Sequence, residues 1–234
     1  MIKSVCFITA NHLREDVLEL YCLGVERLKD QSPLLISSVC VGDKTDVTYK
    51  YNCYHIPYKN EPVSQKFNIA CQKAREWEVD AVIVMGSDDI MNIQLFNAIT
   101  SRSEDFVAIR DIYLYSLEKG YINELRYIKT NMVGCARMLS RELLDRVNWT
   151  PWKRERDWGL DQVMLQTIKP HIKSEYIFTA SDVGGMCVDI KNGDSMNKFS
   201  KWKGLPVADP QLMFGWLSQA EKDLINNIIN NLNP

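Results

Sequence analysis

Histidine is scarce in this 234-residue chain, which has only His12, His55 and His171. None stands at ligand spacing from the cysteines and no C-x-x-C occurs, so the zinc signatures built on paired cysteines are missing. The seven cysteines (Cys6, Cys22, Cys40, Cys53, Cys71, Cys135 and Cys187) are odd in number, and several lie inside apolar runs such as SVCFI and SSVCV. Free, buried thiols in a reducing compartment are the expectation. Neither sign of charge dominates. With 28 Lys and Arg against 30 Asp and Glu, the net charge of −2 makes no electrostatic case for a general nucleic-acid binder, although a local basic face stays open. Long apolar runs are missing as well. No stretch approaches the ~18 apolar residues of a membrane span. The opening MIKSVCFITANHLRED has too short an apolar run for a signal peptide and reads as a first strand. A cytoplasmic location is expected. Repeats and low-complexity linkers are absent too, apart from an Asn-rich tail.

The chain carries an ordinary globular composition, 46% hydrophobic and 25% charged, which suits one large domain. At this length roughly 70% of the unfolded surface becomes buried, so no staples are required. IKSVCFIT (2–9) reads as a buried strand. Val17, Leu20, Tyr21, Gly24, Val25 and Leu28 then share one face of a helix over 14–29. PLLISSVCVG (33–42) is a second strand ended by Gly42-Asp43, and YNCYHIPY (51–58) a shorter third. A helix over 60–77, capped by Ser64 or Asn60, leads to DAVIVMG (80–86), a continuous apolar strand of the kind buried on both faces. A helix over 93–100 and a strand over 105–115 follow. This alternation predicts an α/β fold: a single Rossmann-like domain with a mostly parallel central sheet flanked by helices. The second half is less regular and predicts a smaller mixed region. Its expected elements are a hairpin strand (121–128), a helix capped by Ser140 (140–147), a helix ended by Lys169-Pro170 (160–168) and a strand (174–180). A Gly-rich loop (182–199) and a tail helix with a capping box at Ser218–Glu221 complete the reading.

In VIVMGSDDI (82–90) a buried strand runs directly into Ser87, Asp88 and Asp89. Ligands of open α/β sheets bind beyond the carboxyl ends of the strands. Two adjacent carboxylates need a positive neighbour, and a hard divalent ion such as Mg²⁺ or Mn²⁺ bridging phosphates supplies one. The structural alternative is that Asp88 or Asp89 caps the helix beginning near Ile93. In RERDWGLDQVM (154–164), Asp157 and Asp161 are four apart and share one face if the segment is helical. Here the structural alternative has Asp157 capping that helix and Asp161 pairing with Arg154 or Arg156. Trp149, Trp152 and Trp158 flank these carboxylates, with Trp202 and Trp216 later. Each is either core or a stacking platform for a sugar or base.

The order FITANHLRED, NEPVSQKFNIACQKA, DAVIVMGSDDIM, GCARMLSRELLDRV, RERDWGLDQVML resembles GT-A type glycosyltransferases, close to the family-2-like branch, over about residues 2–190. The resemblance implies a metal-dependent, hexosyltransferase-type enzyme. It would move a sugar from a nucleoside-diphosphate donor (UDP-sugar favoured) to a hydroxyl of a glycan or other acceptor, with inversion; a nucleic-acid acceptor is not excluded. It further implies that Thr9, Asn11 and Arg14 border the nucleobase and ribose. Lys66 and Asn68 fall where the family contacts the nucleotide, although the usual Arg-Asn pair is replaced by a lysine two residues before the asparagine. Ser87 and Asp88 would serve the ribose side, with Asp88 and Asp89 at the metal, Mn²⁺ or Mg²⁺. Asp161, with Asp157 second, would be the base that deprotonates the acceptor. A closing loop over 184–202, hinged at Gly184, Gly185 and Gly193, would supply Asp189 as a further metal ligand and Lys191 to the diphosphate, with His171 a weaker ligand candidate. The implied layout is one domain over 1–234: a nucleotide-binding half to about 115, an acceptor and catalytic half over about 116–200, and a helical extension from about 201.

Two other classes compete. A nucleotidyltransferase of sugar phosphates shares the core but normally carries a Gly-rich basic loop after the first strand, where this chain reads ANHLRED. A non-catalytic nucleotide-sugar or glycan-binding module is the other.

Overall fold

The computed structural model describes residues 2–127, 132–192 and 205–232. The first half runs β1 (Ser4–Asn11), α1 (Glu15–Gln31), β2 (Leu35–Gly42), the single turn α2 (Val47–Lys50), β3 (Tyr54–Pro57), α3 (Val63–Glu76), β4 (Ala81–Val84), β5 (Asp89–Met91) and α4 (Ile93–Thr100). Then come β6 (Phe106–Ile109), β7 (Asp111–Ser116), β8 (Ile122–Arg126), β9 (Arg137–Ser140), α5 (Arg141–Arg146), α6 (Leu160–Ile168) and β10 (Glu175–Phe178). The described chain ends with β11 (Cys187–Lys191), β12 (Val207–Ala208), α7 (Gln211–Phe214) and α8 (Gln219–Leu232).

A seven-stranded sheet in the order β10-β6-β9-β4-β1-β2-β3 forms the centre. It is parallel except where β9 runs against β4 and β6. Successive residues of β1 feed opposite cores: Val5 and Phe7 face α1 and α4, while Cys6 and Ile8 face α3, α5 and α6. This two-sided burial makes the strand sequences read as unbroken apolar runs. A second sheet, β12-β8-β7-β11-β5, is mixed, and its own core joins Tyr115, Ile122, Val188 and Ile190 to Ile225 and Ile228 of α8. The expected α/β architecture with a mostly parallel centre and a smaller mixed region is therefore what forms.

Several boundaries differ from expectation. The strand expected over 105–115 breaks at Arg110 into β6 and β7, which lie in different sheets. Directly before the helix expected over 140–147, residues 137–140 form β9 between β4 and β6, a strand not expected from the sequence. The loop expected over 182–199 contains β11, paired with both β7 and β5. Gly193 and Trp202 of the expected closing loop, and Ile128 of the hairpin strand, lie outside the described residues. Neither Ser64 nor Asn60 caps α3, whose N-cap position is Pro62. Asn92, not Asp88 or Asp89, caps α4, its side chain accepting from the Leu95 N–H at 3.0 Å. Ser140 caps α5 as expected, and the Ser218–Glu221 capping box forms at the start of α8. All seven cysteines are free and buried. No helix among the described residues is long and apolar enough to cross a membrane.

Candidate active site

β4 ends at Val84, and the chain turns through Gly86, Ser87 and Asp88 before re-entering sheet structure as β5. The turn is closed twice: the Asp89 N–H donates to the Gly86 carbonyl at 3.2 Å, and the Gly86 N–H donates to Asp89 Oδ2 at 2.6 Å. Gly86 is needed for space, because a Cβ there would sit 2.8 Å from both Asp88 Oδ1 and Asp89 Oδ2. β11 then pairs antiparallel with β5, which puts Asp189 directly opposite Asp89. Like charges facing each other across a ladder destabilise it, so this register needs a counter-charge. The Ile190 N–H donates to the Asp88 carbonyl at 2.7 Å and locks the two strands together.

Asp88, Asp89 and Asp189 thus converge, each offering a carboxylate oxygen within 4.8 Å of the others. Adjacent and opposed oxygens on one Mg²⁺ lie about 3.0 and about 4.2 Å apart, so the trio would draw inward to share a single ion. The donor set is all hard oxygen, and Asp189 Oδ1 is buried without a hydrogen-bond partner among the described residues. The residues present therefore fit a divalent cation. Two side-chain cations already border the cluster: Arg14 Nη1 is 2.8 Å from Asp88 Oδ2, and Lys191 Nζ is 2.5 Å from Asp189 Oδ2. Arg14 Nη2 also reaches Ser87 Oγ at 3.5 Å. Burial, reinforced by the charges of Asp189 and Asp88, holds the Asp89 carboxyl well above the usual range. Burial and the Asp88 charge push Asp189 up to about 7 against the opposing pull of Lys191.

The expected nucleotide contacts gather at the neighbouring strand ends. Thr9, buried in β1, carries a hydroxyl without a hydrogen-bond partner among the described residues. Lys66 Nζ is buried and donates to the Asn11 carbonyl at 2.8 Å and to Asn60 Oδ1 at 3.2 Å. Burial lowers its pKa. Asp43, seen in the sequence only as a strand terminator, clasps the loop after β1: its Oδ2 lies 2.6 Å from His12 Nδ1 and accepts the Leu13 N–H at 3.1 Å. Leu13 is exposed and held at φ 51°, an uncommon backbone conformation for leucine. Asn68 lies apart from this group. Its amide is engaged by both the N–H and the carbonyl of Trp152, at 3.1 and 2.8 Å.

That asparagine belongs to a seam that carries the second carboxylate group. The Arg156 N–H donates to Ser64 Oγ at 2.9 Å, and Asp157 Oδ1 accepts the Val63 N–H at 2.9 Å. Asp157 therefore serves the start of α3 rather than that of α6. Asp161, in the first turn of α6, pairs with neither Arg154 nor Arg156. It meets Arg137 Nη1 at 3.2 Å, and its side chain is half exposed while that of Arg137 is 1% exposed. Arg137 was not singled out in the sequence. Its Nε donates to the Val133 carbonyl at 2.6 Å, and burial lowers its pKa against the opposing charge of Asp161. The segment between the two carboxylate groups is tight. A Cβ on Gly134 would fall 2.5 Å from Asp161 Oδ2, and next to it Cys135 Sγ lies 3.5 Å from Cys187 Sγ at the start of β11. Trp149 and Trp152 are core residues, whereas Trp158, between the two aspartates, is 74% exposed. His171 sits in the turn after α6 and is no part of the aspartate trio.

Neither a family model nor a curated protein matches the chain by sequence. Among solved structures it is similar to S. aureus TarS. The 1–349 fragment gives a TM-score of 0.51 at 14% identity, covering 75% of this chain and 60% of that one. A second TarS structure gives 0.51 at 15%, covering 99% and 43%. The inositol-1-phosphate CTP transferase from T. maritima gives 0.49 at 10%, covering 88% and 98%. The chain thus spans about 60% of the first TarS structure and less than half of the second. The likeness is one of fold, and that fold is GT-A-like.

Proposed function

We propose that this chain is a metal-dependent glycosyltransferase that moves a hexose from a nucleoside-diphosphate donor, UDP-sugar favoured, to an acceptor hydroxyl with inversion. The observation that carries this reading is the meeting of Asp88, Asp89 and Asp189 at the carboxyl end of β4. The leaving group is a nucleoside diphosphate whose charge grows as the glycosidic bond breaks. Asp88, Asp89 and Asp189 would hold a cation, Mn²⁺ or Mg²⁺, which would supply countercharge where it develops. Arg14, paired with Asp88, and Lys191, paired with Asp189, add positive charge beside it. Thr9, Asn11, Lys66 and Ser87 line the nucleotide side, and Asp88 serves ribose or metal. Asp161 takes the acceptor proton: its carboxylate is half exposed and oriented by Arg137, as a base that must reach an incoming hydroxyl requires. Asp157 is the poorer candidate because its carboxylate is engaged at α3. In this reading residues up to about 115 form the nucleotide-binding half, and about 116–200 the acceptor and catalytic half, which also lends Asp189 and Lys191 to the metal side; the acceptor is a glycan or other hydroxyl compound. The exposed Trp158 offers a stacking face.

The test is a transfer and donor-hydrolysis assay across sugar nucleotides with Mn²⁺. At least one donor should turn over, and chelator should stop it. Asp161→Asn should keep donor binding and lose about 10²–10⁴-fold in transfer. Full transfer by that variant would remove Asp161 from the role. Turnover with no donor, with or without Mn²⁺, would remove the glycosyltransferase reading itself.

A further inference from the structure

Asp189 and Lys191 stand two apart on β11, so both side chains leave the same face of the strand. Lys191 Nζ lies 2.5 Å from Asp189 Oδ2 and 3.9 Å from Asp88 Oδ2. This is no free surface lysine. Its side chain is 5% exposed, and its backbone is held by the Leu117 N–H, which donates to the Lys191 carbonyl at 2.9 Å. Arg14 holds Asp88 from elsewhere, at 2.8 Å. The ammonium therefore lies against two carboxylates that a divalent ion has to share. A carboxylate that gives its charge to an ammonium is a weaker ligand for a metal, and an ammonium close to an ion repels it.

Resting on the glycosyltransferase reading above, we propose that Lys191 competes with the divalent cation for Asp189 and, once displaced, gives its charge to the donor's diphosphate. One side chain then couples cation affinity to nucleotide affinity. Without nucleotide the lysine weakens cation binding, because the ion must take Asp189 from it. With the diphosphate present the displaced ammonium meets phosphate oxygens, and the penalty is removed. Linkage makes the effect reciprocal, so the cation tightens the nucleotide by the factor by which the nucleotide tightens the cation. A lysine that serves only as a structural counter-ion has the opposite signature: its removal leaves the carboxylates disordered and cation binding weaker.

The experiment titrates Mn²⁺ calorimetrically into the wild-type chain, Lys191→Met and Lys191→Arg, each with and without UDP, after circular dichroism has established folding. Lys191→Met should bind Mn²⁺ about tenfold more tightly than wild type in the absence of UDP. UDP should then raise its Mn²⁺ affinity less than it does for wild type. Lys191→Arg, which keeps the charge, should stay near wild type. If Lys191→Met does not fold, Lys191→Gln carries the same expectation, and failure of both to fold makes the lysine structural and overturns the proposal. Unchanged or weaker Mn²⁺ binding by a folded neutral variant overturns the competition and leaves the metal site standing. No Mn²⁺ binding by any of the proteins overturns both.

Discussion

Asp189→Asn should stabilise this protein at neutral and alkaline pH when divalent cations are chelated. Asp189 faces Asp89 across the β5–β11 pair, and its carboxyl is raised from 3.8 to about 7, first by burial and then by the Asp88 charge. A carboxylate raised on folding contributes stability that is complete below its unfolded pKa and is lost as pH climbs through its folded pKa. The relevant window is therefore about pH 4 to about pH 7, with stability falling across it. A shift of about three units corresponds to on the order of 4 kcal/mol for ionising this group alone. The partnership with Lys191 is already contained in that shift. Asparagine keeps the shape and removes the charge. Urea unfolding in chelator at about pH 5 and about pH 8.5 should show the wild type losing stability between the two and the variant losing less, so that the variant is the more stable at the higher pH. Saturating Mn²⁺ should reverse the order by stabilising only the wild type. A wild type whose stability in chelator is flat or rising over this window, with Asp189→Asn less stable at both ends, would refute the reasoning.

Glu221→Ala in α8 strands the buried guanidinium of Arg27, which bonds Glu221 Oε2 at 2.9 Å and the Met91 carbonyl of β5 at 2.9 Å. A loss of about 3–5 kcal/mol in urea unfolding is expected, and a loss below about 1 kcal/mol would contradict the pairing. Gly86→Ala places a methyl 2.8 Å from two site carboxylates. It should fold yet lose Mn²⁺ binding measured calorimetrically, and wild-type affinity would contradict that geometry. Asp157→Ala removes the acceptor for the first N–H of α3. It should cost about 0.5–2 kcal/mol of stability while retaining transfer activity, and abolished transfer in a folded variant would return the base role to Asp157.

Much of the fold was legible because burial on both faces leaves a plain signature. IKSVCFIT and DAVIVMG could hardly be anything but central strands, and the helical period of α1 names its inner face. What stayed hidden has physical causes. β9 is four residues long and opens with Arg137, a charge that argues against a central strand until its ion pair with Asp161 is known. β5 is three residues, too short for any period to show. In β11 the alternation was present: Val188 and Ile190 enter the core of the second sheet while Asp189 and Lys191 face the site. Gly184, Gly185 and Gly193 flank it and give the segment the composition of a loop. Within the candidate site, Asp88, Asp89 and Asp189 were all named from the sequence, but their convergence depends on a strand register no linear pattern encodes. Asn68 and Asp157 share their residue types with ligand contacts. Only their partners, the Trp152 backbone and the Val63 N–H, disclose that they stitch the segment before α6 to α3.

If Asp88, Asp89 and Asp189 hold a cation that in turn holds a diphosphate, nucleotide binding depends on that cation. Calorimetric titration of nucleoside diphosphates, UDP first, into the protein with Mn²⁺ or with chelator tests it most directly. At least one nucleotide should bind with Mn²⁺, chelator should abolish the binding, and Asp89→Asn should abolish it too. Equal binding with and without Mn²⁺, or no binding of any nucleoside diphosphate, would contradict it.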